Sequence, residues 1–150
     1  KPFIFYKFKT MTNKLDRNGD LLPDKKRITK FGKFLRRTSI DELPSLFNVV
    51  IGDMSLVGPR PLLMSYIDKF NSFQNRRHEV KPGITGWAQI NGRNNISWEE
   101  KFDLDVWYID NNSIILDIKI IFITFWKVIK LEGITQKNHV TMERFKGNER

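Results

Sequence analysis

The chain has no cysteine and only 2 histidines, His78 and His139, in 150 residues. The first absence excludes a disulfide framework and a thiolate nucleophile; the second leaves little from which to build a zinc site. No run reaches the roughly 18 uncharged apolar residues that a membrane-spanning helix requires. Acidic residues are the scarcer charge, 17 Asp and Glu against 26 Lys and Arg. There is no Walker loop, no GxSxG elbow, no HExxH and no dinucleotide fingerprint, which removes the common nucleotide-binding and hydrolase classes. Internal repeats and low-complexity tracts are missing as well, and the opening residues do not read as a secretory leader.

What is present describes one folded domain over residues 1–150. Hydrophobic residues make up 40% and aromatic residues 13% of the chain, which excludes disorder, and the length suffices for a real core. The net charge of +9 points to an anionic partner: nucleic acid, an anionic bilayer or a phosphorylated substrate.

Residues 1–11, KPFIFYKFKTM, alternate aromatic and basic side chains in a strand-like way, and DRNGDLLPD, Asp16 to Asp24, supplies the Gly, Asn and Pro of a loop. Asp16, Asn18 and Asp20 stand where a calcium loop has its first ligands. Leu21, however, replaces the turn glycine and Arg27 the closing Glu, so an ordinary solvated loop is expected. From Lys25 to Thr38, Ile28, Phe31 and Leu35 recur at helical spacing among lysines and arginines, predicting one basic amphipathic helix. Its basic face is either solvated or laid on an anionic membrane.

SIDELPSL, Ser39 to Leu46, places Asp41 and Glu42 side by side before Pro44, with Arg36 and Arg37 upstream. Ser39 and Glu42 have capping-box spacing, which puts the acidic pair in the first turn of a helix; Pro44 requires that helix to start near itself or to kink. The pair is either a helix-start device or a reactive carboxylate site, and the adjacent positive charge favours its ionised form. Arg60, between Pro59 and Pro61, is either the solvent-facing residue of a rigid connector or an anion binder whose backbone two proline rings hold ready. PGITGWAQINGRNN (residues 82–95) reads as a turn, a short strand and an Asn91-Gly92 hairpin-type turn presenting Arg93.

Ser97 and Glu100 repeat the capping-box spacing, followed by an apolar helical face of Trp98, Phe102 and Ile109. SIILDIKIIFITFWKVIKLEG is the most apolar segment. Lys119, Lys127 and Lys130 form a basic stripe on it with Trp126 beside them, so this helix either packs most of its circumference in protein or rests in a membrane interface. The tail after about residue 140 has little pattern and is expected to be mobile. Glycosylation sequons at Asn95 and Asn111 carry no weight without secretion.

In order, KFKTM, KRITKFGKFLRRTSIDELPSLFNVVIGDMSLVGPRPLL, VKPGITGWAQINGRN and SWEEKFDLDVWYIDN closely resemble the bacterial sugar transferases, the monotopic phosphoglycosyl transferases that act on polyprenyl phosphate. The resemblance runs from Lys1 to about Leu131. It implies transfer of a sugar-1-phosphate from a UDP-sugar to undecaprenyl phosphate, with release of UMP and a requirement for Mg²⁺. It also implies the first step of surface glycan synthesis, at the cytoplasmic face of the bacterial inner membrane, with downstream glycosyltransferases as further partners. The family's Asp-Glu dyad falls on Asp41 and Glu42: Asp41 as the nucleophile that takes up the phosphosugar, Glu42, with Asp41, as the holder of Mg²⁺. Arg36 and Arg93 match the arginines of two family segments and are candidates for clamping phosphate. Pro59, Arg60 and Pro61 match the motif placed near the nucleotide, and Lys7 the lysine of the family's KFRTM strand. Two positions depart: Lys9 stands where an Arg is usual, and Ser45 where Gln is common. The family also carries an N-terminal re-entrant membrane helix ahead of KFRTM, so this chain is expected to hold the catalytic constellation without the main anchor and to bind anionic liposomes weakly and salt-sensitively.

The expected architecture is a compact, helix-dominated α+β domain with a short strand or hairpin and amphipathic interfacial helices, and without Rossmann strand order. Two alternatives stand beside the transferase. A basic nucleic-acid or anionic-membrane binding module would use the net charge, but no nucleic-acid motif appears and no nucleic-acid partner is expected. An inactive scaffold for glycan assembly would have had no need to keep both acids of the dyad. The sugar, the pathway and the oligomeric state are not written in the sequence.

Overall fold

A computed structural model describes residues 1–92, 96–130 and 144–147. Its helices are α1 (Asp24–Arg27), α2 (Lys30–Arg37), α3 (Ser45–Val50), α4 (Ser72–Asn75), α5 (Trp87–Asn91), α6 (Trp98–Asn111) and α7 (Ile114–Ile129). Short 3-10 turns occupy Ile40–Glu42, Met64–Lys69 and Arg76–His78. β1 (Ser55–Val57) and β2 (Gly83–Thr85) form a parallel pair, Ser55 opposite Gly83 and Val57 opposite Thr85. This is the expected helix-dominated α+β class. Between the two strands the chain runs through helical turns, as a parallel pair requires.

Three local expectations are corrected. The stretch from Lys25 to Thr38 is two helices, because Thr29 adopts extended backbone and its Oγ1 accepts from the Gly32 N–H at 2.8 Å, capping α2 afresh. The hairpin-type turn at Asn91-Gly92 is instead the end of α5. Asn91 Nδ2 donates to the Trp87 carbonyl at 2.8 Å within the helical turn, and β2 already has its partner in β1. MSLVGPRPLL is not wholly loop, since Ser55–Val57 is β1. The KFKTM segment, for its part, makes only an isolated bridge, Met11 with Ile28, among the described residues. It lies so close to α2 that a Cβ on Gly32 would collide with the Thr10 carbonyl.

Helix α6 carries both predicted capping bonds, Glu100 N–H to Ser97 Oγ at 3.1 Å and Ser97 N–H to Glu100 Oε2 at 2.9 Å. Its buried face divides the core. One cluster gathers Val57, Ile90, Tyr108 and Ile120; the other gathers Tyr66, Phe102 and Phe145 with Leu62, Phe70 and Trp98 at its edge. Burying each such large apolar side chain is worth roughly 1.5–3 kcal/mol, which makes α6 the keystone between the clusters.

Helix α7 buries only Ile120 fully, while Ile115 at 82%, Phe122 at 69% and Phe125 at 62% stay exposed. Its lysines divide: Lys127 donates to the Ile90 carbonyl and Lys119 lies over the Trp87 ring, while Lys130 stays exposed over the Trp126 ring of α7 itself. The stripe therefore leans on the domain only in part, and the free side of α7 is apolar with Lys130 at its edge. Nothing in the pattern after Val140 announced a packing role, yet Phe145 is buried in the second cluster.

Candidate active site

The acidic pair sits on a sharp turn. Ser39 takes left-handed backbone (φ 58°) and caps nothing with its side chain; Ile40–Glu42 then makes one 3-10 turn and α3 begins at Ser45, directly after Pro44. The expected capping box at Ser39 and Glu42 is thus absent, and Pro44 has set the helix start. The turn is held by Ser45, whose fully buried hydroxyl donates to the Glu42 carbonyl at 2.6 Å. A serine in place of the usual Gln therefore has its own local task. Because consecutive residues of a tight turn point apart, the two carboxylates have different surroundings.

Asp41 is turned inward, and Lys7 Nζ lies 3.6 Å from its Oδ2. The segment carrying Lys7 is pinned on both sides. Asn48, wholly buried in α3, accepts from the Tyr6 N–H at 3.1 Å and donates to the Ile4 carbonyl at 2.7 Å, while the Phe8 N–H donates to the Asp41 carbonyl at 2.9 Å. Glu42 faces Arg60 instead: Arg60 Nη1 donates to Glu42 Oε2 at 3.0 Å and Arg60 Nη2 donates to Oε1, a two-point fork. Burial works against the Arg60 charge, but Glu42 and Asp41 outweigh it and raise the guanidinium above its ordinary pKa.

The loop that presents Arg60 is rooted in the sheet. Gly58 N–H donates to the Thr85 carbonyl at 2.9 Å and Gly83 N–H to the Pro59 carbonyl at 3.0 Å. A Cβ at Gly83 would meet the Gly58 amide, so these strands close only with glycine there. Behind the loop, Arg77 Nη2 donates to the Arg60 carbonyl at 2.7 Å and lies 2.9 Å from Asp105 Oδ2. Both side chains of that ion pair are 2% exposed. Burial pushes Asp105 up to about 6 against the pull of Arg77 and Lys101, and lowers Arg77 despite Asp105. Lys101, over the Trp98 ring, is brought down to about 8 by burial first and then by Arg60 and Arg77.

The expected residues are thus gathered unequally. Lys7, Asp41, Glu42 and Arg60 meet, with buried Pro59 and half-buried Pro61 on either side of Arg60. Arg36 is in the last turn of α2, beside the dyad turn, with its Nε on Thr10 Oγ1 at 3.0 Å. Lys9 is exposed, and Arg93 lies outside the described residues. Sequence reasoning passed over Asn48, Arg77, Lys101 and Asp105. For α6 a signal existed: Lys101 and Asp105 fall at helical spacing on the face that Trp98, Phe102 and Ile109 define. For Arg77 none did, since RRH reads as surface.

The sequence model of a family described as "Bacterial sugar transferase" matches residues 1–131. The uncharacterized sugar transferase EpsL of Bacillus subtilis is 64% identical over 99% of the chain and 73% of its own length. The UDP-glucose:undecaprenyl-phosphate glucose-1-phosphate transferase of Klebsiella pneumoniae is 45% identical over 85% of the chain, and the undecaprenyl-phosphate galactose phosphotransferase of Salmonella typhimurium 43% over 71%. The chain matches only 30% and 22% of the length of the last two.

Proposed function

The chain belongs to the bacterial sugar transferase family, and from that premise we propose that it transfers a sugar-1-phosphate from a UDP-sugar to undecaprenyl phosphate, through a covalent phosphosugar on Asp41. The observation that carries the reading is the meeting of two adjacent carboxylates with the Lys7 ammonium and the Arg60 fork. A carboxylate attacking a diphosphate must overcome like-charge repulsion, and cations placed beside it lower that cost.

In the first step an Asp41 carboxylate oxygen forms a bond to the sugar-bearing phosphorus, and the bond from that phosphorus to the oxygen bridging the diphosphate breaks, releasing UMP. In the second an oxygen of undecaprenyl phosphate attacks the same phosphorus and the Asp41 carboxylate departs, leaving a lipid diphosphosugar. Lys7 faces the attacking group. Arg60 suits either Glu42 or a phosphate, because its planar fork fits both, so donor phosphate and Glu42 compete for it.

The residues present fit Mg²⁺. That ion takes one or two protein carboxylates and completes its shell with water and substrate phosphate oxygens, and no larger cluster of acidic or histidine ligands occurs among the described residues. Glu42, with Asp41, would hold it, and once bound it would neutralise charge on the donor phosphates.

No described helix is long and apolar enough to cross a membrane. The exposed apolar side of α7, and Phe31 and Phe34 of α2 among exposed Lys30, Lys33 and Arg37, suit contact with an anionic membrane surface, where the lipid acceptor resides. On this reading the product starts a surface glycan at the cytoplasmic face of the inner membrane.

The test is Mg²⁺-dependent UMP release in lipid nanodiscs containing undecaprenyl phosphate, across UDP-sugars that include glucose and galactose. Release with one sugar, lost in Asp41→Asn and Glu42→Gln, is expected, with label from the donor's β-phosphate retained on the protein when acceptor is omitted. A folded protein that releases UMP from none of them would return the scaffold reading.

A further inference from the structure

The match to the family model ends at residue 131, yet a residue beyond it is built into the core behind the site. Phe145 is 3% exposed, its ring 5.2 Å from Phe102, 5.4 Å from Trp98, 5.8 Å from Phe70 and 5.9 Å from Tyr66, and its carbonyl accepts from Lys69 Nζ at 3.3 Å. Two of those rings also flank a cation: the Arg77 guanidinium lies 5.6 Å from Phe102 and 5.9 Å from Phe70. Arg77 in turn donates to the Arg60 carbonyl, and Arg60 forks onto Glu42.

We propose that Phe145 is a positioning residue for the transferase site: seated among the rings that hold Arg77, it fixes Arg77 against the Arg60 carbonyl and so sets the Arg60 fork over the dyad. The proposal rests on the reading of Arg60 as a phosphate-binding residue. Arg77 is poorly placed to act for stability. It and Asp105 are both shifted against their own charge by burial, and a desolvated pair of this kind gains little over apolar packing. What the pair does supply is one fixed position for the Arg60 backbone. The rings decide whether that position is kept, because the guanidinium rests against Phe70 and Phe102, which stand edge to face at 5.5 Å, and has little room to move only while those rings are themselves backed. Phe145 provides the backing for Phe70 and Phe102 together.

A double-mutant cycle separates this role from a merely structural one. Phe145→Ala is expected to lower kcat/KM for UMP release by about tenfold, with Phe145→Leu recovering most of the loss. In an Arg60→Lys background, where there is no fork left to position, the same change should cost less than about twofold. Equal factors in the two backgrounds, at a temperature where circular dichroism shows every variant folded, would overturn the proposal. If Phe145→Ala fails to fold, Phe145→Val, which keeps an apolar side chain without the reach of the ring, carries the cycle. Hydrogen exchange on the ligand-free protein needs no activity: in the Phe145 variant the amides of Gly58 and Gly83, which root the Arg60 loop, should lose more protection than the Ile51 amide of α3. Uniform change, or none, would refute the positioning role. Failure of the unaltered protein to release UMP from any donor would count against the transferase reading alone and leave exchange to decide this one.

Discussion

Two layers of ion pairs flank the Pro59–Pro61 loop, and they are built on different terms. In the front layer Lys7 meets Asp41 and Arg60 meets Glu42, with side-chain exposures of 36% for Lys7 and 32% for Arg60. In the back layer Arg77 meets Asp105 at 2% exposure each, with Lys101 beside them. The front cations reach solvent, so a phosphate can compete for them; the back pair cannot exchange partners without opening the core. Burial marks the back layer throughout, raising Asp105 and lowering Arg77 and Lys101. The lesson is that the same residue types serve as exchangeable binding groups where water reaches them and as fixed struts where it does not.

The largest separation should come from Asp41→Asn. UMP release is expected to fall by about four powers of ten, roughly 5 kcal/mol of transition-state stabilisation, with unfolding free energy changed by no more than about 1 kcal/mol. A comparable loss of stability in a urea titration would erase the distinction between the layers. Next is Arg77→Met, which strands Asp105 without its counter-ion and should cost about 3–5 kcal/mol of stability, most of it regained in Arg77→Met/Asp105→Leu. A cost below about 1 kcal/mol would mean the back layer is not buried in the sense argued above.

The front layer was legible in the sequence; of the back layer only the α6 face that carries Lys101 and Asp105 was, and Arg77 was not. Asp41, Glu42, Arg60 and Lys7 belong to ordered motifs, and the α6 capping box at Ser97 and Glu100 follows from side-chain chemistry alone. The broken helix at Ile28-Thr29 and the helical rather than hairpin end at Asn91 depended on partners far along the chain: the Met11 bridge in one case, β1 in the other. Asn48 looked like any polar residue in a short helix until its amide was found stapling the Ile4–Tyr6 backbone. Arg77 sits in a charged run, and only its tertiary partners, buried Asp105 and the Phe70 and Phe102 rings, distinguish it from Arg76, which pairs at the surface with Glu79 and Asp110.

Arg60→Lys sharpens the front layer from within. Lysine keeps the charge and loses the planar fork, so UMP release should fall about 10- to 100-fold, roughly 1.4–2.7 kcal/mol, while stability barely moves. A lysine variant with full activity would reduce Arg60 to a point charge and remove the reason for holding its backbone so firmly.

The smallest expected effect is a pH slope that belongs to the back layer alone. Asp105 moves from an ordinary 3.8 to about 6 in the folded chain. A raised folded pKa means that its stabilising contribution is complete below about 4 and is lost as pH rises through 6. Compared with Asp105→Asn, which does not titrate, the unaltered protein should therefore lose on the order of 2 kcal/mol in all, spread between pH 4 and pH 7. Lys101 has the opposite linkage: lowered to about 8, it contributes stability at high pH that is lost as pH falls through 8, outside this window. His78, which burial and Arg77 lower, titrates in both proteins and cancels from the difference. Urea titrations of the two proteins at four or five pH values would expose the slope. Parallel curves would place Asp105 in ordinary solvent contact, and with it would go the reason for treating the Arg77 pair as a strut rather than a second exchangeable layer.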